Sequence, residues 1–413
     1  MFVVYNIAVI VAGFFLKIMA LFNKKLALFV DGRKHVLEQL SYEISDSDKT
    51  IWMHCASLGE FEQGRPILEQ LKTSYKNHKI ILTFFSPSGF EVRKNYEGAD
   101  VICYLPLDSK RNSKRFIELV HPDLAVFVKY EFWPNILREL DEQKVKTILV
   151  SAIFRKEQPF FKSSSWMRKS LKRFTYFFVQ DENSKTLLES IDFRNVKVSG
   201  DTRFDRVSNI TQQNNTLEFL NEFKDNELLV VIGSSWKEDE ELLVKFINEK
   251  ENKNVKFAFA PHNIDDLEVK RLQKSIQQTV AIYSSKETIN LKESKVLILD
   301  TIGMLTKVYS YADIAYVGGG LATGLHNILE PATFGIPVII GDNFSKFREA
   351  RELVELKGCY PISNFGHLRD ILNQLIDDAN FRNLTGSICG EYVKENTGAT
   401  EQIMKYIHKE VKK

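Results

Sequence analysis

From Lys49 onward, short apolar runs alternate with stretches whose apolar positions recur every three or four residues. A short apolar run bounded by turn residues reads as a buried parallel strand, and the periodic stretch after it as the helix that covers it. The alternation predicts parallel sheets with helices on both faces. In the first half the predicted strands are 50–56, 80–84, 100–104, 124–128, 146–151, 176–180 and 196–200, with helices over 61–72 and 87–94. The rhythm restarts at 228–232, 255–260, 281–283, 296–299, 314–317 and 337–340. Between the halves, VSNITQQNNTLEFLNEFKDNE carries a polar Gln/Asn run and reads as a connection.

The first residues break this pattern. Residues 2–22 are apolar except for Asn6 and Lys17, and the basic residues Lys24, Lys25, Arg33 and Lys34 follow rather than precede them. A secretory signal would carry its charge first and end in a small-residue cleavage site. A membrane segment remains, with the charges behind it placing the next domain in the cytoplasm. Because Asn6, Gly13, Lys17 and Lys24 fall near one helical stripe, the segment spans the bilayer, lies in its interface, or packs that stripe on the protein.

A chain of 413 residues suits two domains of about 150–200 residues each. Lys plus Arg number 56 against 54 for Asp plus Glu, so the balance gives no reason to expect a nucleic-acid partner. Cys55, Cys103, Cys359 and Cys389 form no CxxC pair and no metal spacing, which fits a reduced compartment.

The most informative stretch is 316–348, YVGGGLATGLHNILEPATFGIPVIIGDNFSKFR. A strand breaks at Gly318, Gly319 and Gly320, glycines that either let a ligand phosphate approach the backbone or simply serve a tight turn. Asn327 is a candidate N-cap with Glu330 three residues on and Pro331 in the first turn. Gly335 closes that helix, a strand follows, and Gly341-Asp342-Asn343 turns toward a helix opening near Phe344. Successive strand-turn-helix units place their turns along one sheet edge, where open α/β sheets bind nucleotides.

Similar turns recur upstream. His54-Cys55-Ala56-Ser57-Leu58-Gly59-Glu60 carries a carboxylate to the mouth of a helix, either as chemistry or as a first-turn acid favoured by the helix dipole. In TFFSPSGFE, Ser86 and Ser88 make a ligand turn or an ordinary helix start. KYEFWPN brings Glu131, with Trp133 as core packing or a sugar platform, after another strand. Residues 154–174 interleave cations such as Lys162 and Arg168 with Phe160, Phe161 and Trp166, a mixture suited to an anionic amphiphile. Arg203 in GDTRFD offers a cation or an ion pair to Asp201 or Asp205. Gly233, Ser234 and Ser235 follow a strand, the serines as caps or phosphate ligands, and Pro261-His262 ends the next.

Together these motifs resemble the 3-deoxy-D-manno-octulosonic acid (Kdo) transferases of lipopolysaccharide synthesis, from about Trp52 to Glu352. WMHCASLGE, SPSG, EFWPN, GDTRFD, DTIGML and HNILEPATFGIPVIIG carry the likeness. Three positions depart from the family pattern: Arg203 for Lys, Met304 for an acid and His262 for the Arg of Pro-Arg-His.

The resemblance implies a GT-B glycosyltransferase, an α/β fold of two Rossmann-like doubly wound parallel-sheet domains facing across a cleft, plus an N-terminal membrane helix. The expected parts are an anchor over 1–25, an acceptor-binding domain over 26–205, a linker over 206–226 and a nucleotide-sugar domain over 227–413. The final helix at 400–413 would pack back on the first domain. Kdo would move from CMP-Kdo to the lipid A precursor with inversion, at the cytoplasmic face of the inner membrane. Glu60 would be the base. Ser57, Gly59, Ser86, Ser88, Glu131, Lys162 and Arg168 would meet the acceptor. Gly233, Ser234, Ser235, Pro261, His262, Gly318, Gly319, Gly320, Asn327, Glu330 and Arg203 would meet the donor. No Asp-x-Asp motif calls for a metal, and no cofactor is implied. The rivals are a UDP-sugar enzyme of the same fold, such as a lipid-A-disaccharide synthase, and a non-catalytic membrane-bound nucleotide-binding protein.

Overall fold

The computed structural model of the chain describes residues 2–162, 166–249, 254–322 and 324–411. It divides into two units, Met1–Arg206 with Thr397–Lys413, and Val207–Asn396. The chain thus crosses from one to the other twice. The helix Thr202–Ile210 runs through the first crossing, and Glu218–Lys224 is a helix of the second unit, its Lys224 paired with Asp313 at 2.8 Å.

The first unit is built on β1 (Lys49–Cys55), β2 (His78–Phe84), β3 (Val101–Tyr104), β4 (Leu124–Val128), β5 (Lys146–Ala152), β6 (Tyr176–Val179) and β7 (Val196–Val198). All pair in parallel, in the order β3-β2-β1-β4-β5-β6-β7. The second unit has β8 (Leu228–Ser235), β9 (Val255–Pro261), β10 (Val280–Ile282), β11 (Val296–Ile298), β12 (Ile314–Val317), β13 (Val338–Gly341) and β14 (Cys359–Ile362), also parallel, in the order β10-β11-β9-β8-β12-β13-β14. Strand order reverses beside β1 and β4 in one sheet and beside β8 and β12 in the other. In such sheets a crevice opens outside the carboxyl ends of the strands at that switch point.

Strands buried on both faces explain the unbroken apolar runs of the sequence. One face of the first sheet packs Trp52, Phe127 and Leu149 against Phe116 and Phe177. The other packs Met53, Leu82 and Val126 against Ile67, and also against Ile403, Met404 and Ile407 of the helix Ala399–Glu410. Asp205 fastens that last helix, accepting hydrogen bonds from the Gly398 amide at 2.5 Å and from the Thr400 amide at 2.7 Å.

The N-terminal helix, α1 (Phe2–Ala20), lies along the first unit. Its part-buried residues Phe2, Tyr5, Asn6, Val9, Gly13, Leu16 and Ala20 form one stripe at helical spacing, while Val3, Ile7, Ile10, Phe14 and Ile18 are exposed. Tyr5 donates to Asp108 Oδ2 at 2.7 Å, the Asn135 amide donates to Asn6 Oδ1 at 3.1 Å, and the Trp166 ring packs on Phe2 and Tyr5. The next helix, α2 (Lys24–Asp31), is capped by Asn23.

Candidate active site

β1 delivers the chain to the switch point of the first sheet, and the helix Leu58–Ser74 opens just beyond it. Glu60 stands in that helix's first turn, folded back so that its Oε2 accepts from the Ser57 amide at 3.0 Å. Burial, and then the negative charge of Glu131, push its carboxyl up to about 7 against the opposing pull of the Ser57 and Ala56 amides and the Lys129 ammonium. A carboxylate with that pKa is poised to take a proton near neutrality.

Glu131 sits at the end of the neighbouring strand β4, where Lys129 adopts a left-handed backbone with φ +70°. Beneath it runs a buried polar chain. Trp52 Nε1 donates to Thr83 Oγ1 at 2.9 Å, Thr83 lies 2.8 Å from His54 Nδ1, and His54 Nε2 lies 3.2 Å from Glu131 Oε2. Trp52 can only donate, so Thr83 Oγ1 accepts from it, and the His54 ring links Thr83 to Glu131. Trp133 Nε1 donates to the same Glu131 oxygen at 2.7 Å. Glu131 is thereby held in place beside Glu60, on which its charge acts.

The turn carrying Ser86 and Ser88 packs beside this site, since the Ser86 amide donates to Ala56 O at 2.7 Å. Ser86 accepts from the Ser88 amide as cap of the helix Pro87–Arg93, and the two hydroxyls lie 2.9 Å apart. Gly59 is exposed, and only the Ser57 hydroxyl, at 4.0 Å, is near the place of an added Cβ.

At the second switch point, Ser235, Trp236, His262, Gly318–Gly320 and His326 come together. The rings of Trp236 and His262 stack at 4.2 Å and 20°. The ring of His326 is 5.0 Å from that of His262 and accepts from Trp236 Nε1 at 3.2 Å. Burial, then the neighbouring His262, hold the His326 pKa below its ordinary value, which keeps its ring an acceptor. Glu330 accepts from the Thr306 hydroxyl at 2.8 Å and the Asn327 amide at 3.2 Å.

Several expectations need correction. The amides of Gly318 and Gly319 are not open to a phosphate, because Gly318 donates to Gly233 O and Gly319 donates to Asp239 Oδ2, both at 2.9 Å. These glycines let backbones touch: an added Cβ at Gly318 would meet Ser235 Cα at 2.8 Å, and one at Gly320 would meet Gly341 N at 2.7 Å. Asn327 accepts from the Leu329 amide, but the helix is only Leu329–Ala332. The helix expected near Phe344 begins at Arg348.

Ser234 and Ser235 do not cap the next helix. Asp239 does so by accepting from the Trp236 amide at 2.9 Å, while the Ser235 hydroxyl donates to Glu240. His262 is held in the ring stack, with its own amide on Ser235 O, and Pro261 ends β9. Tyr309 fills the space where a Gly233 side chain would go. Arg203 lies in the first unit and is tied to Asp201, Nε at 2.9 Å and NH2 at 2.8 Å.

In the basic segment, Arg168 donates to the carbonyls of Phe160 and Lys162, Phe160 is core, and Lys162 is exposed. Residues 163–165 of that segment lie outside the described residues. Sequence reasoning assigned no role to His54, Lys129, Trp236, Asp239 or Thr306. Asp239, three residues after Trp236 in an acid-rich helix start, carried a capping signal that was legible.

The family model described as 3-Deoxy-D-manno-octulosonic-acid transferase (kdotransferase) matches residues 32–206. A 3-deoxy-D-manno-octulosonic acid transferase of Aquifex aeolicus is 30% identical over 79% of this chain and 86% of its own length. A bifunctional glycosyltransferase/methyltransferase of Fusobacterium nucleatum is 28% identical over 83% of this chain, which spans about half, 54%, of that protein. Among solved structures, a UDP-GlcNAc 2-epimerase of Neisseria meningitidis bound to UDP-GlcNAc covers 87% of this chain and 100% of its own at 14% identity, with a TM-score of 0.60. That last likeness speaks for the GT-B fold.

Proposed function

Since the chain belongs to the 3-deoxy-D-manno-octulosonic acid transferase family and is a glycosyltransferase of GT-B fold, we propose that it transfers Kdo from CMP-Kdo to a hydroxyl of the lipid A precursor. Glu60 is the base. The observation that carries this is its carboxyl, held at the first switch point and pushed up to about 7 by burial and Glu131. Glu60 takes the proton of the acceptor hydroxyl as that oxygen attacks the anomeric carbon opposite the departing CMP, which inverts the configuration. One base suffices, because the acceptor itself replaces the water that a hydrolase would activate.

Donor binding falls to the second switch point, where the Trp236–His262–His326 rings offer a face for a nucleotide base and Glu330 offers a carboxylate to ribose hydroxyls. The acceptor lies by Ser57, Ser86, Ser88 and Glu131. The exposed apolar face of α1 attaches the enzyme to a membrane, and the basic residues behind it favour the cytoplasmic face of the inner membrane. Because α1 rests along the body from Tyr5 to Ala20, attachment in the interface plane fits it better than a span.

The test is transfer from CMP-Kdo to tetra-acylated lipid A precursor, read by product mass, for the intact enzyme and Glu60→Ala. Product from the first and a rate lower by about 10² or more in the second, with CMP binding kept, supports the reading. Full rate in the variant removes Glu60 as base. CMP binding without transfer to any acceptor favours the non-catalytic alternative.

A further inference from the structure

The first unit contains a pocket that the transfer chemistry leaves unused. It lies between α1, α2 and the loop after β3 and encloses about 710 Å³, inside the range of roughly 300–1,000 Å³ typical of small-molecule sites. Leu16 and Ala20 of α1, Ala27 and Val30 of α2, and Leu107 give it apolar walls. Lys17 and Lys34 line it too, and both are exposed, so they stand at its mouth.

These cations differ in their engagement. Lys34 pairs with Asp31 at 2.6 Å, and Arg33 donates to the carbonyls of Leu105, Phe29 and Phe85. Lys17 is the one charge on α1 and has no hydrogen-bond or ion-pair partner among the described residues. A lone ammonium on an otherwise apolar anchor helix, beside an apolar pocket, asks for an anion joined to an apolar chain. An acyl chain against Leu16, Ala20, Ala27, Val30 and Leu107 would take their apolar surface out of water, and cations at the level of lipid head groups attract anionic lipid.

We propose that this pocket holds an acyl chain of an anionic membrane phospholipid, with the lipid phosphate at Lys17, since Lys34 is already paired with the pocket-lining Asp31. The lipid seals the gap between the anchor helix and the body, so α1 and the bound chain present one apolar surface to the bilayer. The acceptor of the transfer reaction is also acylated and phosphorylated, but the phospholipid fits better. On the side toward the Ala56–Glu60 turn the pocket is walled by Arg33, 3.7 Å above the Phe29 ring, and by Phe29 itself, edge to face at 5.2 Å with Phe85, whose amide donates to Ala56 O. Both long walls also belong to the anchor helices, which face bulk lipid in the membrane attachment proposed above, on which this assignment rests.

The experiment is native mass spectrometry of the full chain in detergent, incubated with phosphatidylglycerol or phosphatidylcholine. One phosphatidylglycerol should stay bound per chain. Ala27→Phe, which fills the pocket, should lower its occupancy by about tenfold or more. Lys17→Gln alters only an exposed side chain, so it keeps the test open if the first variant fails to fold; it should abolish the preference for phosphatidylglycerol over phosphatidylcholine. Equal retention by Ala27→Phe, an unchanged preference in Lys17→Gln, or stoichiometric displacement of the lipid by acylated acceptor would each overturn the proposal. Retention is read without any transfer, so its failure leaves the transferase reading standing.

Discussion

Replacing Glu60 with Gln should have two opposed effects that trace to one carboxyl. In the folded chain its pKa rises from the ordinary 4.5 to about 7, burial being the larger cause and Glu131 the next. At about 1.4 kcal/mol per pKa unit, ionising Glu60 in place costs the fold at most about 3.5 kcal/mol. The side chain is only part-buried, so solvent screening reduces that to about 1.5–2 kcal/mol.

The sign follows from which state ionises first. Below the unfolded value the carboxyl is protonated in both states and costs nothing. Between the two values the unfolded chain ionises while the folded chain does not, so stability falls as pH rises; above about 7 the whole penalty is present. Gln keeps an oxygen for the Ser57 amide and cannot ionise. Urea unfolding should therefore find the variant and the wild type alike near pH 4, with the variant more stable by about 1.5–2 kcal/mol at about pH 8. Transfer should fall by about 10² or more in the same protein, and the wild-type rate should rise with pH through about 7. A stability difference that stays flat across that range would refute the argument, because Glu60 would then not be strained in the fold.

Glu131→Gln removes the charge that helps hold Glu60 up, so the rising limb of the pH–rate profile should move to lower pH by up to about one unit; an unmoved limb would mean that Glu131 does not act on Glu60. Asp205→Ala deletes the acceptor of the Gly398 and Thr400 hydrogen bonds. It should cost about 2 kcal/mol and expose the helix Ala399–Glu410 to faster hydrogen exchange, and unchanged protection there would count against the cap. Gly320→Ala drives a methyl to within 2.7 Å of the Gly341 amide, at a cost of about 1–3 kcal/mol. CMP affinity should drop in equilibrium dialysis, and full affinity would show that the two turns separate freely.

The strands of both sheets were legible because burial on both faces writes a continuous apolar run. β14 was missed: Cys359–Ile362 contains Pro361, and a proline cannot donate to a ladder, which suits an edge strand but hides it. The place of Glu60 at a strand-to-helix turn could be read from SLGE. Its elevated pKa could not, since it depends on Glu131, delivered by a different strand. Gly318 and Gly320 announced a close approach, but not to what. Their partners are the Ser234–Ser235 and Gly341 backbones, brought in by parallel neighbours. In 154–174 the interleaved rings and cations carried no periodicity to say which ring turns inward, and Phe160 joins the core. Arg203 and Asp201 stand two residues apart, so their ion pair was an open alternative from the start.

The double crossing between the units also sets a schedule for biosynthesis. Ile403, Met404 and Ile407 complete one face of the first sheet, yet they follow the whole stretch Val207–Asn396 in the chain. A ribosome making roughly 5–20 residues per second needs on the order of ten seconds or more to traverse that stretch. For that interval the first-made half waits with part of its apolar sheet uncovered, while the later-made half has all its strands and can close. The nascent chain thus finishes in the reverse of the usual order, and a chaperone has a defined window in which to shield the open face.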